Sequence, residues 1–489
     1  MAANLLSQWK RQHCDLRRIA QIAILFASLS ALNAAAQPDE AEEQNAAVQE
    51  LPGESEYIEL KITRENEKDL KKQGKGTIPK ILKDRNFGAN EEQHTATLKK
   101  YFWSWFFPEM TAPEKIAPQR EKLKKFFENT NKIQATEALN RLTFEMMAGF
   151  CRGPLLVSTP SGKTEVVQVG ERFFTLNGAE IEPNTIQGKP SPATRDFHPA
   201  VKYNAMLIIG ELNNPKNKRN ETTKPWREKY SDLEAYTQPS SDPRRPDMLR
   251  VAALVGIKRY CYVEGMDSEK QLIARAMLKI LAEEVRTNTD IWIQRQAIDI
   301  LGELGKNGTT DDAVLSALGG LIADQQEPMP LRIAAAHAVG KIHLNDPPEE
   351  GVVTYAKQLG NLAVELTDVE IEGEQTRSGT FSATRLSTKL GTILFALEGP
   401  VVLEDASEGD SSPPGGLIAM AREGDEKTYL LVLANQVRLL KGFGEKIAPS
   451  IHRNRVAAQL KPFLIELRKM LAAENPPAPP VETADRNAQ

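Results

Sequence analysis

Asp290-IWIQRQAIDILGELG-Lys306 is written in the period of an amphipathic helix. Wound at 3.6 residues per turn, it puts Ile291, Ile298 and Leu301 on one face with Ala297, Ile300 and Leu304 alongside, the i, i+3, i+4, i+7 spacing that a helix buries. Asp290 is placed to cap its start, and Gly305 and Gly308 to end it. One helix cannot cover its own apolar face, so the stretch calls for neighbours of the same kind.

The chain supplies them. Lys202-YN-Ala205-MLII-Gly210, Arg250-VA-Ala253-LVGI-Lys258, Gln294-RQ-Ala297-IDIL-Gly302 and Arg332-IA-Ala335-AHAV-Gly340 share a basic or polar residue, a small residue three positions later and often a glycine five after that. Their anchors Ala205, Ala253, Ala297 and Ala335 recur at roughly the interval of helix-pair repeats. In this wording and spacing the chain resembles HEAT-repeat proteins, in particular secreted bacterial ones. The resemblance implies a mainly α protein whose helix pairs stack into an α-solenoid, with the small residue admitting a neighbouring helix and the glycine ending the second helix of each unit. Lys258 departs from the glycine and Gln294 from the basic residue. The resemblance covers residues 197–345 and extends more weakly over 346–473.

The N-terminus has a different character. Lys10, Arg11, Arg17 and Arg18 precede an apolar run from Ile19 to Leu32 and a small-residue stretch, which is the pattern of a secretory signal peptide over residues 1–36. Export to a periplasmic or extracellular compartment is therefore expected, the alternative being a tether to the inner membrane by an uncleaved segment. Loss of this segment would take the net charge from −4 to about −7, which argues against nucleic acid as a partner. Of the three cysteines, only Cys151 and Cys261 lie beyond it, too few for a disulfide framework; they are expected as small buried thiols, with a pair as the alternative.

Residues 37–59 hold eight acidic side chains and no basic one, the composition of a solvated linker. Residues 60–150 read as an N-terminal helical region, basic over 60–132, that contains Tyr101-FWSWF-Phe107. Aromatics at successive positions point all round a helix axis, so either the domain encloses this helix or part of it is an exposed anchor. The second possibility makes Trp103, Trp105, Phe106, Lys99 and Lys100 candidates for an interaction surface, including peripheral contact with a membrane. Residues 151–196 change to period two and read as a small β-hairpin insert with turns at Ser161-Gly162 and Asn177-Gly178. Within it, Val157-STPSGK-Thr164 resembles a phosphate-binding loop, but the alternating Glu165-VVQV-Val169 that follows reads as a strand, whereas such a loop must open a helix.

A proline-rich excursion, 213–246, separates the first two repeat helices. Loops of that length are often functional, and Trp226, Tyr230 and Tyr236 are candidates for a contact surface there. Helices at 349–366, 381–398, 427–441 and 455–473 are expected to continue and cap the array, with residues 474–489 as a disordered tail.

Reactive groups do not converge anywhere in the sequence. His337 and His343 fall on different faces of their helix, there is no His-Glu-x-x-His, Cys-x-x-Cys or His-Glu dipeptide, and neither a metal site nor a cofactor is expected. The expected role is that of a non-catalytic scaffold for another protein. Two alternatives come with the HEAT resemblance: an enzyme-like protein of the bilin-lyase type that cradles a small ligand, and a membrane-associated structural component.

Overall fold

The computed structural model describes residues 57–60, 64–130, 133–158, 165–169, 172–175, 180–181, 191–192, 195–215, 224–240, 242, 245–263, 266–282, 288–306, 312–344, 347–348, 351–372, 382–400, 415–446 and 453–473. All belong to one compact unit, Glu56–Gln489; the other, Met1–Ser55, lies outside the described residues. The expected signal segment, most of the acidic linker and the tail therefore also lie outside them.

The protein is mainly helical. Helices α1 (Arg64–Lys75), α2 (Thr77–Lys83), α3 (Glu91–Tyr101), α4 (Pro113–Glu128) and α5 (Ile133–Arg152) make up the N-terminal region. Strands β1 (Leu155–Ser158), β2 (Glu165–Val169), β3 (Arg172–Thr175), β4 (Glu180–Ile181) and β5 (Ser191–Pro192) follow, in one antiparallel sheet of order β4-β3-β2-β1-β5. The rest is helical: α6 (Pro199–Glu211), α7 (Tyr230–Thr237), α8 (Asp247–Cys261), α9 (Asp267–Leu281), α10 (Asn288–Gly305), α11 (Asp312–Ala323), α12 (Met329–Val339), α13 (Val353–Glu372), α14 (Ala383–Glu398), α15 (Asp425–Lys446) and α16 (Arg453–Ala472). Side chains cap some of the helix starts. His198 accepts from the Ala200 amide before α6, and Ser382 from the Arg385 amide before α14, each satisfying an N–H that the helix leaves over.

From α6 onward the helices lie in two rows. One is α6, α8, α10, α12, α14 and α15, each packed on the next; the other is α9, α11, α13 and α16. The rows are joined pairwise, α7 on α8, α9 on α10, α11 on α12, α13 on α14 and α16 on α15. The anchors Ala205, Ala253, Ala297 and Ala335 all fall in the first row and are fully buried, as are Ile298, Ile300, Leu301 and Leu304 of α10. Small residues there let backbones approach: a Cβ on Gly302 would lie 3.0 Å from the Ala338 Cα. This corrects the role expected for the repeat glycine at two positions: Gly210 and Gly302 sit inside α6 and α10, which end at Glu211 and Gly305, and their work is interhelical approach. Gly340 does end its helix, standing directly after Val339 at the close of α12, though without a positive φ. The start of α10 moves too: the helix opens at Asn288, which puts Asp290 in its first turn, 3.6 Å from Arg250 on α8.

The side chain at the head of each repeat signature is buried as well. Lys202, Arg250, Gln294 and Arg332 are all inside, and burial of a polar group requires partners. Arg250 Nε donates to the Thr237 carbonyl at the end of α7 (3.0 Å), and Arg332 Nε to the Ile322 carbonyl near the end of α11 (3.0 Å). Each guanidinium thus satisfies a carbonyl left over at the end of the preceding helix and meets its negative end. Lys202 instead pairs with Asp196.

The N-terminal region shares its core with the two rows, α5 packing directly on α6. Its aromatic run lies within that core. After α3 the chain makes a π-helical turn, Phe102–Phe106, and Tyr101, Phe102, Trp103, Trp105, Phe106 and Phe107 are all buried. Phe126 of α4 closes over Tyr101, Phe102 and Phe106 at centroid distances of 6.1, 5.4 and 5.7 Å.

Candidate functional site

The residues expected to form interaction surfaces are mostly structural. Trp103, Trp105 and Phe106 face the core and cannot meet a partner without unfolding their region; Lys99 lies over the Trp103 ring at 5.2 Å, and Lys100 is exposed. The described part of the excursion, chiefly 224–240, likewise packs on the array. An isolated bridge between Asn213 and Pro225 and a bond from the Trp226 amide to the Leu212 carbonyl (3.0 Å) tie its start to the end of α6. Trp226, Tyr230 and Tyr236 are buried, because α7 is the helix that covers α8. Lys229, which the sequence reading passed over, is buried beneath it and donates to the Gly210 and Leu212 carbonyls at the end of α6. Burial first, and the Arg259 charge second, hold its ammonium well below the ordinary lysine pKa.

Cys151 and Cys261 are buried thiols that are not joined in a disulfide, and burial pushes the pKa of each up to about 12, which keeps them protonated and unreactive. Residues 159–164 of the phosphate-loop resemblance lie outside the described residues; the segment after them is β2, a strand, with no helix N-terminus to receive a phosphate. Among the described residues no group of acidic, histidine or cysteine side chains is placed to hold a metal, and no helix is long and apolar enough to cross a membrane.

A cleft opens on the second row. About 620 Å³ in volume, it lies along α13 between the C-terminal end of α11 and the helix α16. Gln358, Asn361, Glu365 and Asp368 line it from α13, at i, i+3, i+7 and i+10, so they form one stripe about 15 Å long. Arg332 approaches from one side and pairs with Glu365 (2.7 Å); Arg468 of α16 approaches from the other and pairs with Asp368 (2.5 Å). Gln358 Oε1 is buried and accepts no hydrogen bond among the described residues. Beside the stripe, Val369 lines the cleft and is 50% exposed. The first row has a different surface: Lys258 of α8, Asp299 and Glu303 of α10 and Lys341 after α12 form a continuous chain of ion pairs, with His337 stacked on Phe395 (4.9 Å) nearby.

The sequence does not single out this cleft. Its polar stripe has the period of an ordinary solvated helix face, and α13 runs six residues past the expected end at 366, so Asp368 and Val369 fall beyond it. Comparison with known proteins adds no relative: no family model, no curated protein and no solved structure matches this chain.

Proposed function

We propose that this chain is a HEAT-like α-solenoid that serves as a non-catalytic, protein-binding scaffold in an exported compartment. The two rows of paired helices support the solenoid reading: each helix packs on the next in its row and on one across, and the repeat signatures sit at equivalent places. The single observation behind the binding reading is the cleft along α13. It joins an exposed apolar side chain, unpaired amide capacity and ion pairs at a site where folding alone leaves Val369 uncovered. Polar groups there pair across the cleft instead of converging on an empty centre, an arrangement suited to an elongated occupant.

Its volume is also in the range of small-ligand sites, which favours the ligand-cradling alternative as a second reading. Both are tested by crosslinking in the native cells, after fractionation, with the parent chain beside a Val369→Asp variant. Under the scaffold reading a defined protein is crosslinked to the parent and lost from the variant. If the parent yields no protein but its melting temperature rises with small-molecule extracts, the second reading replaces the first. Recovery of the chain only with membranes, released by detergent and not by osmotic shock, overturns the soluble exported scaffold.

A further inference from the structure

The binding reading can be taken one step further, to the chemistry of the partner. We propose that the cleft along α13 receives an extended polypeptide segment, held through its main chain and through one basic side chain seated on Asp368; this rests on the protein-binding reading above.

The amides come first. Gln358 and Asn361 stand one helical turn apart on α13, and Gln325 faces them from the end of α11. A carboxamide donates and accepts at once, which matches the paired N–H and C=O that an extended chain presents along its length. The Gln358 Oε1 without a donor is an acceptor that such a chain can satisfy once the side chain turns outward. A stripe of about 15 Å accommodates four or five extended residues at about 3.3 Å each. Side chains of an extended segment alternate, so those facing α13 would cover Val364 and Val369, and the others would remain in solvent.

The charges decide the sign. Arg332 is buried, bonded to the Ile322 carbonyl and to Glu365, and is fixed in place. Arg468 is 52% exposed and, among the described residues, its ion pair is with Asp368. Exposed pairs of this kind are worth little, so Arg468 can swing into water at small cost and leave Asp368 to a cation from the partner. The reverse exchange is unfavourable. A partner carboxylate taking Arg468 would leave the less exposed Asp368 unpaired, one turn from Glu365. A phosphodiester would meet the same two carboxylates.

The test is selection of a displayed random-octapeptide library on the immobilised full-length mature chain, followed by anisotropy titration of the enriched peptides with a fluorescein label. Asp368→Arg, Val369→Asp and Arg468→Ala variants are titrated in parallel, with thermal melts to show that each is folded. The expected result is enrichment of sequences with one Lys or Arg amid apolar residues, at least tenfold weaker binding in Asp368→Arg and in Val369→Asp, and equal or tighter binding in Arg468→Ala, where the internal competitor is gone. No enrichment, enrichment of acidic peptides, or equal binding by parent and Asp368→Arg overturns the proposal. A cellular protein still crosslinked by Asp368→Arg and Val369→Asp chains would overturn this groove assignment and leave the scaffold reading standing; loss of all captured protein from the parent as well would overturn both.

Discussion

The backbones of Gly210 in α6 and Gly256 in α8 face each other so closely that a Cβ on either would lie 2.9 Å from the Cα of the other. That contact sets the spacing at the start of the first row. Gly256→Leu must push α6 and α8 apart or displace Leu233, which lies 3.3 Å from the same position, and is expected to destabilise by about 2–4 kcal/mol. Gly320→Ala is the counter-case: the site is helical and exposed, with open space around the added methyl, so the substitution is expected to stabilise by about 0.5–1 kcal/mol. Urea melts of the two variants beside the parent check both signs.

Ala297 and Ala335 are the fully buried anchors of α10 and α12, helices that pack on one another. An arginine at either would drive a charge into a buried helix–helix contact, and is expected to cost about 3–5 kcal/mol. Ala334, next to one of them and only partly buried, should tolerate Arg far better. Thermal melts that leave Ala335→Arg equal to the parent would mean that this face of α12 is not packed.

How much of this was legible in the residues depends on whether the governing contact is local. The helices, the buried anchors and the strand after the phosphate-like loop are matters of period and of turn chemistry, which a short window of sequence displays. The destination of the aromatic run is not local. Tyr101 to Phe107 reads equally as core or as anchor until Phe126, some twenty residues on, is seen to close over it. The same holds for Trp226, Tyr230 and Tyr236, which are buried because α8 needs a covering helix, and for the cleft, which requires α11, α13 and α16 together. Arg250 and Arg332 are legible as a repeating cation, but the carbonyls that their Nε groups meet are invisible to any side-chain pattern.

Asp299 bridges two lysines, Lys258 of α8 and Lys341 just after α12. Burial alone would raise its pKa, but Lys341 and Lys258 outweigh that and lower it below the ordinary aspartate value. A depressed carboxylate stabilises the folded state above the unfolded pKa of about 3.9, and this contribution is lost as pH falls through that value toward the folded one. Asp299→Asn is expected to cost about 1 kcal/mol at pH 7, a modest figure because a third of the side chain is exposed and screened. The deficit should shrink toward zero in melts taken between pH 4 and pH 2.

The two thiols give the opposite limb of the pH profile. Burial raises both Cys151 and Cys261 to about 12, against about 8.5 for a cysteine in the unfolded chain. Above that lower value the unfolded chain releases thiol protons that the folded chain keeps, so folding loses stability as pH rises from about 8.5 toward 12. Two readouts separate this from general alkaline damage. In native buffer at pH 8, Ellman's reagent is expected to leave both thiols unmodified over hours, whereas in denaturant both react at once. A Cys151→Ala, Cys261→Ala chain pays a packing cost at pH 7, where Cys151 Sγ also loses its 3.7 Å contact to the Lys202 carbonyl. Its stability between pH 8.5 and pH 10 should then fall less steeply than that of the parent. Equal alkaline slopes, or rapid labelling of the folded parent, would show that these thiols are not the sealed core groups that their burial implies.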